Sequence, residues 1–142
     1  MTLYRGTVLD TPDGTAPGGI RLRSELDGGI LVESGIITER SAFSRMAARH
    51  PEHEIVDLRG GLVLPGLIDA HVHYPQVRVI GALGMPLLEW LEQCALPEEA
   101  RLADPGYAAD VAVDFVQGLV SAGTTTSLVF GSHFAPAMDA LF

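Results

Sequence analysis

The chain has 142 residues, of which 47% are hydrophobic and 19% charged, with a formal net charge of −9 at pH 7. Such a length supports one ordinary domain, and so acidic a balance excludes nucleic acid and anionic membranes as partners, since both need a basic footprint. All nine basic residues are arginine, which rules out a catalytic lysine within these residues, and the single cysteine, Cys94, rules out an intrachain disulfide and fits a cytoplasmic setting.

The first ten residues, MTLYRGTVLD, alternate and are polar, without the apolar core of a secretory signal, and no apolar run approaches the ~20 residues that span a bilayer. A soluble, cytoplasmic protein is expected. Residues 1–60 read as short antiparallel strands. IRLRSEL sets Ile20, Leu22, Ser24 and Leu26 on one face and Arg21, Arg23 and Glu25 on the other. DGG at 27–29 predicts a turn, GILVE a strand, Ser34-Gly35 a second turn and IITER a further strand. SAFSRMAARH predicts a short helix capped by Ser41 and stopped by Pro51, and EIVDLRG returns to strand. His50 and His53, on either side of a proline turn, read as plain surface residues.

The pattern changes at residue 61. GLVLPGLIDA is apolar on both sides, which suits a strand covered on both faces in a parallel sheet. PLLEWLEQCAL predicts a helix with Pro86 in its first turn, Leu87, Leu88, Leu91 and Ala95 on one side, and an end at Pro97. Glu92, Glu98 and Glu99 read as a solvated face. YAADVAVDFVQGLVSAG carries the clearest helical period: Tyr107, Ala108, Val111, Ala112, Phe115 and Leu119 form an apolar stripe, and Gly123 fits the position just past the end. TTTSLVF then predicts a second buried strand. Strand, helix and strand in this order build a parallel sheet, whose functional groups sit beyond the carboxyl ends of its strands.

His71 and His73 occupy that position. Residues i and i+2 of an extended segment share a side, so both imidazoles can aim at one point while Val72 turns away into packing. An isolated H-x-H is weak evidence, more often a pair of incidental structural histidines. Here it ends an apolar strand, after a Pro-Gly break and Asp69, and that placement favours a metal such as zinc or iron. Asp69 either orients a ligand or faces solvent. His133, after the second strand, is a weaker candidate for lining the same pocket.

The residues PGLIDAHVH resemble the first metal-binding motif of the amidohydrolase superfamily. HVHYPQ, PLLEWLEQCALPEEAR and SAGTTTSLVFGSHF together resemble the opening third of its guanine deaminase branch, and the likeness spans nearly the whole chain. The resemblance implies an α/β fold. Residues 1–60 would form the N-terminal part of a small β-sandwich, and residues 61–142 the first two βα units of an incomplete metal-dependent hydrolase (β/α)₈ barrel. It makes His71 and His73 ligands of Zn²⁺, with Fe²⁺ as the other choice, and Gln76 the contact to a purine, a role that suits a carboxamide able both to donate and to accept. Tyr74 and Pro75 would share that substrate-side loop. Trp90 either walls a flat substrate or belongs to the core, with the core favoured.

The reaction implied is hydrolysis of guanine to xanthine and ammonia, in an enzyme that works as a homodimer. Further ligands and the proton-shuttling carboxyl come, in that family, from later barrel strands, so no catalytic group beyond the two ligands is expected here. A barrel takes ~250 residues, so the stretch after residue 60 holds roughly two of its units, and an N-terminal fragment without activity of its own is expected. The competing readings are a different amidohydrolase, acting on another amino-heterocycle or a cyclic amide, and a non-catalytic metal-binding module. A zinc site of the cytidine deaminase type is excluded, because Cys94 stands alone and P-C-x-x-C is missing.

Overall fold

The computed structural model describes residues 1–11 and 22–142, and the chain divides into two units, Met1–Pro65 and Gly66–Phe142. In the first unit, strands β1 (Thr2–Asp10), β2 (Arg23–Glu33), β3 (Ile36–Ala42) and β4 (Glu54–Val63) form one sheet in the order β3-β2-β1-β4, with helix α1 (Phe43–Arg49) between β3 and β4. β1 pairs antiparallel with β2, and β2 with β3, whereas β4 lies parallel to β1. The all-antiparallel expectation therefore fails at β4, because the chain crosses over through α1 rather than turning back in a hairpin. Leu3, Leu31 and Met46 form the core, with Phe43 packed against them.

Three local expectations in this unit are corrected. The predicted turn at 27–29 does not exist, since β2 runs straight through Asp27-Gly28-Gly29. These glycines serve close packing: a Cβ on Gly28 would stand 2.8 Å from Val8 Cγ2, and one on Gly29 2.8 Å from Met46 Sδ. The pairing slips here as a bulge, and the Thr7 hydroxyl donates to the Leu26 carbonyl at 3.0 Å. Ser41 belongs to β3 and does not cap α1, whose N-cap residue is Ala42 without a side-chain bond. His50 is no plain surface residue either, for its Nε2 meets Glu39 Oε2 at 2.8 Å and its ring stacks on His53. The turn at Ser34-Gly35 forms as expected, with φ of 50° and 81°. Ile20 and Arg21 of the predicted IRLRSEL strand lie outside the described residues. The division expected between residues 60 and 61 falls inside β4, which continues to Val63.

The second unit opens with β5 (Leu67–His73), which runs into a 3₁₀ segment, Tyr74–Val79. Helix α2 (Leu87–Trp90), a π turn (Leu91–Ala95) and α3 (Leu96–Arg101) follow without interruption. Pro97 thus does not end the helix. Proline lacks an N–H and its ring crowds the carbonyl four residues back, and the widened π turn just ahead of it relieves both conflicts. Helix α4 (Pro105–Ser121) starts where the Asp104 carboxylate accepts from the Tyr107 N–H at 3.0 Å and stops at Gly123, whose φ is 81°. β6 (Thr124–Phe130) pairs parallel with β5, and a short α5 (Ala135–Asp139) closes the described chain.

The apolar stripe predicted for α4 is the core of this unit. Ala108, Val111, Ala112 and Phe115 pack with Tyr74, Leu102 and Ala137, and Val72 and Val129 of the two strands close over them. Each large side chain so buried contributes about 1.5–3 kcal/mol. Within this chain, Leu67 and Ile68 of β5 and Leu128 of β6 are exposed. Among the described residues, no helix is long and apolar enough to cross a membrane.

Candidate metal centre

β5 delivers His71 and His73 from one side of an extended backbone, and their Nε2 atoms stand 3.1 Å apart. The rings lie 5.1 Å apart between centroids and tilt by 49°. Two nitrogens bound to one tetrahedral zinc, each at about 2.05 Å, would be separated by about 3.3 Å, so the pair sits close to the spacing of shared ligands. Nitrogen donors of this kind, both neutral when bound, fit zinc or ferrous iron. Among the described residues, no group of three or more His, Cys, Asp or Glu side chains gathers to hold a metal, so the donor set here is two.

Asp69 does not reach an imidazole. Its Oδ1 accepts from the backbone N–H of His71 at 3.0 Å, fixing the strand end from which both histidines project. A cleft of about 760 Å³ opens beside them, lined by Asp69, His71, His73, Gln76 and Trp90 together with apolar side chains including Val77, Leu83, Met85 and Leu119. A largely apolar cleft with a few convergent polar groups is the usual form of a small-molecule site. Gln76 reaches it from the 3₁₀ segment, which turns the chain sharply after β5. Trp90 reaches it from the last turn of α2, so it is a wall of the cleft rather than part of the buried core.

Tyr74 corrects the sequence reading. It has no exposed surface, packs edge-on against Phe115 at 5.7 Å and donates its hydroxyl hydrogen to the Ala108 carbonyl at 2.8 Å. Residue 74 alternates away from His73, toward α4, which makes it a core residue instead of a substrate contact. Burial pushes its phenol pKa above the ordinary value. His133 stands apart from the cleft: it is exposed, with Nδ1 3.1 Å from Glu99 Oε1 and its ring 4.0 Å from that of Phe134. Glu98 leaves the predicted solvated face altogether. It is buried, accepts from the Tyr107 hydroxyl, and accepts from Arg101 at 3.1 Å.

Sequence reasoning missed Phe130, whose ring touches both imidazoles from the end of β6. No local signal marks it, because only the β5–β6 register, His73 opposite Phe130, brings it there.

Two histidines converge at the end of β5, in a parallel pair with β6, and the amidohydrolase family matches residues 62–142. The chain belongs to the amidohydrolase family. It is 52% identical over 147 aligned positions to a probable guanine deaminase of Deinococcus radiodurans, an alignment covering all of this chain and 34% of that protein. The crystal structure of guanine deaminase from Bradyrhizobium japonicum superposes with a TM-score of 0.87 at 36% identity, over 99% of this chain and 31% of that one. Guanine deaminase from C. acetobutylicum, with guanine bound in its active site, superposes with a TM-score of 0.80 at 25% identity, over 99% of this chain and 32% of the other. The chain spans about a third of the length of the curated relatives it matches.

Proposed function

We propose that this chain contributes the first third of a guanine deaminase, hydrolysing guanine to xanthine and ammonia. The observation that carries the reading is the 3.1 Å approach of His71 Nε2 and His73 Nε2 at the wall of a cleft that Gln76 and Trp90 share. In this reading Met1–Pro65 belongs to a small β-sandwich, and Gly66–Phe142 supplies the first two βα units of a (β/α)₈ barrel. The likeness to guanine deaminases along the whole chain supports both assignments.

His71 and His73 would hold the metal, zinc by preference and ferrous iron as the second choice. When bound, the metal supplies Lewis acidity that activates water near neutral pH. The residues of this chain bind and orient. Gln76 presents a carboxamide whose N–H donates and whose oxygen accepts, matching a purine edge that carries both kinds of group. Trp90 offers a flat apolar wall, and Val77, Met85 and Leu119 keep that side of the cleft dry.

The test is a substrate panel on the full-length protein that contains this chain, with ammonia release as the readout. Guanine should be turned over, Gln76→Ala should raise KM for guanine by about 10-fold or more, and His71→Ala should abolish turnover. Guanine left inert while another amino-heterocycle reacts would overturn the assignment.

A further inference from the structure

We infer that Phe130 is a positioning residue for the His71–His73 donor pair, an aromatic buttress that holds the two imidazoles in their converging arrangement. The inference rests on the metal reading of that pair. Phe130 ends β6 with His73 as its register partner. Its ring centroid lies 4.4 Å from that of His71, tilted by 39°, and 4.9 Å from that of His73, nearly parallel at 14°. With the two imidazoles 5.1 Å from each other, the three rings close a triangle.

Phe130 lies outside the apolar core of this unit, whereas Phe115 is buried there against Tyr74. Nor is it among the residues that line the cleft beside His71 and His73. Metal-binding histidines are commonly oriented by a carboxylate or carbonyl that accepts from the other ring nitrogen. Among the described residues neither imidazole donates to such a group; the Asp69 carboxylate is engaged by the His71 backbone instead. Besides their mutual contact, packing against Phe130 restricts their rotation. Rings held before the metal arrives lose less freedom on binding it, which strengthens binding without adding a ligand.

The test compares the full chain with Phe130→Leu, which keeps apolar bulk but loses the flat ring, and Phe130→Tyr, which keeps the ring. Co²⁺ is titrated into each and followed by its visible absorption, and circular dichroism checks folding. Phe130→Leu should weaken Co²⁺ binding by about 10-fold and Phe130→Tyr by less than about 3-fold, in the range seen when groups orienting a ligand are removed. In the metal-free protein, proton NMR should place the carbon-bound ring protons of His71 and His73 upfield of free imidazole, and Phe130→Leu should move them back. Equal Co²⁺ affinity in Phe130→Leu, or ring protons of the unsubstituted protein at free-imidazole positions, would overturn the inference while leaving the metal reading standing. The second measurement decides even if Phe130→Leu fails to fold. An unsubstituted chain that takes up no Co²⁺ would overturn the inference too, because a pair held ready by Phe130 should bind it.

Discussion

Tyr74 donates its hydroxyl hydrogen to the carbonyl of Ala108 at 2.8 Å, from a side chain with no exposed surface. The bond ties the residue just after His73 to the first turn of α4, so the end of β5 is braced against the helix that covers it. Removing the hydroxyl leaves the Ala108 carbonyl without that partner. Tyr74→Phe should therefore cost about 1–3 kcal/mol, and Tyr74→Ala, which also empties the space against Phe115, about 3–5 kcal/mol. Urea denaturation measures both. A Tyr74→Phe variant as stable as the parent would mean that the bond contributes nothing in solution.

Gly66 and Thr125 set the spacing of β5 and β6. A Cβ at Gly66 would fall 1.9 Å from Thr125 Oγ1 and 2.6 Å from Thr125 Cβ, whereas a Cβ at Gly60, Gly61 or Gly81 would meet nothing within 4 Å. Gly66→Ala should destabilise by about 1–3 kcal/mol through overpacking, with partial rescue by Thr125→Gly in a double-mutant cycle. Gly81→Ala is the control and should be close to neutral.

Asp10 accepts from Arg23 at 2.9 and 2.5 Å and stands 3.1 Å from Arg40 Nε. The Arg23 hydrogen bond, with Arg40 beside it, holds the Asp10 carboxyl below the usual carboxylate range. A carboxyl whose pKa is lower folded than unfolded stabilises the fold above its unfolded pKa, and that contribution disappears as pH falls through the folded value. The thermal midpoint of the protein should thus drop as pH is lowered below about 4. Asp10→Asn should start from a lower midpoint at pH 7 and lose less of it on acidification. Parallel pH profiles for the two proteins would contradict the assignment.

The parts of this molecule that could be read from the sequence are those fixed by local periodicity. The α4 stripe from Ala108 to Phe115, the Ser34-Gly35 turn and the His71–His73 convergence each follow from spacing over a few residues. The parts that could not be read depend on partners distant in the chain. Gly28 and Gly29 look like a turn until Val8 and Met46 arrive to fill the space a Cβ would need. Pro97 looks like a helix end until the π turn before it absorbs the missing N–H. Tyr74 next to His73 reads as part of the site because sequence adjacency says nothing about which face a side chain takes where a strand turns into a 3₁₀ segment. Phe130 and Trp90 acquire their places from register and helix placement, which no single segment encodes.

β5 and β6 make a two-stranded sheet with Ile68 at 75% and Leu128 at 59% exposure, and α4 shows Val120 at 65%. Strand edges and apolar faces of this kind favour association. The isolated chain should bind a hydrophobic dye and sediment as a concentration-dependent mixture. Ile68→Glu should shift that mixture toward monomer, with little effect on stability, because the side chain it replaces is already in water. A sharp monomer peak for the parent chain, independent of concentration, would show these faces to be innocuous.

The two nitrogens at 3.1 Å also bound what the isolated chain can do. A catalytic zinc takes three protein ligands and leaves a position for water, while the described residues bring two histidines together and no third donor of the same kind. Two donors should hold zinc reversibly, so that a chelator strips it at once, and the folded state should persist without it because the core around Phe115 is held by apolar packing. His71→Ala and His73→Ala each leave a single donor and should weaken zinc binding by at least about 10-fold. Purified chain with zinc present should release no xanthine from guanine, since two donors leave the zinc short of the three protein ligands a catalytic site takes. A xanthine signal that His71→Ala abolishes would mean that some donor outside the pair completes the site, and that two histidines and a glutamine suffice where a fuller set is expected.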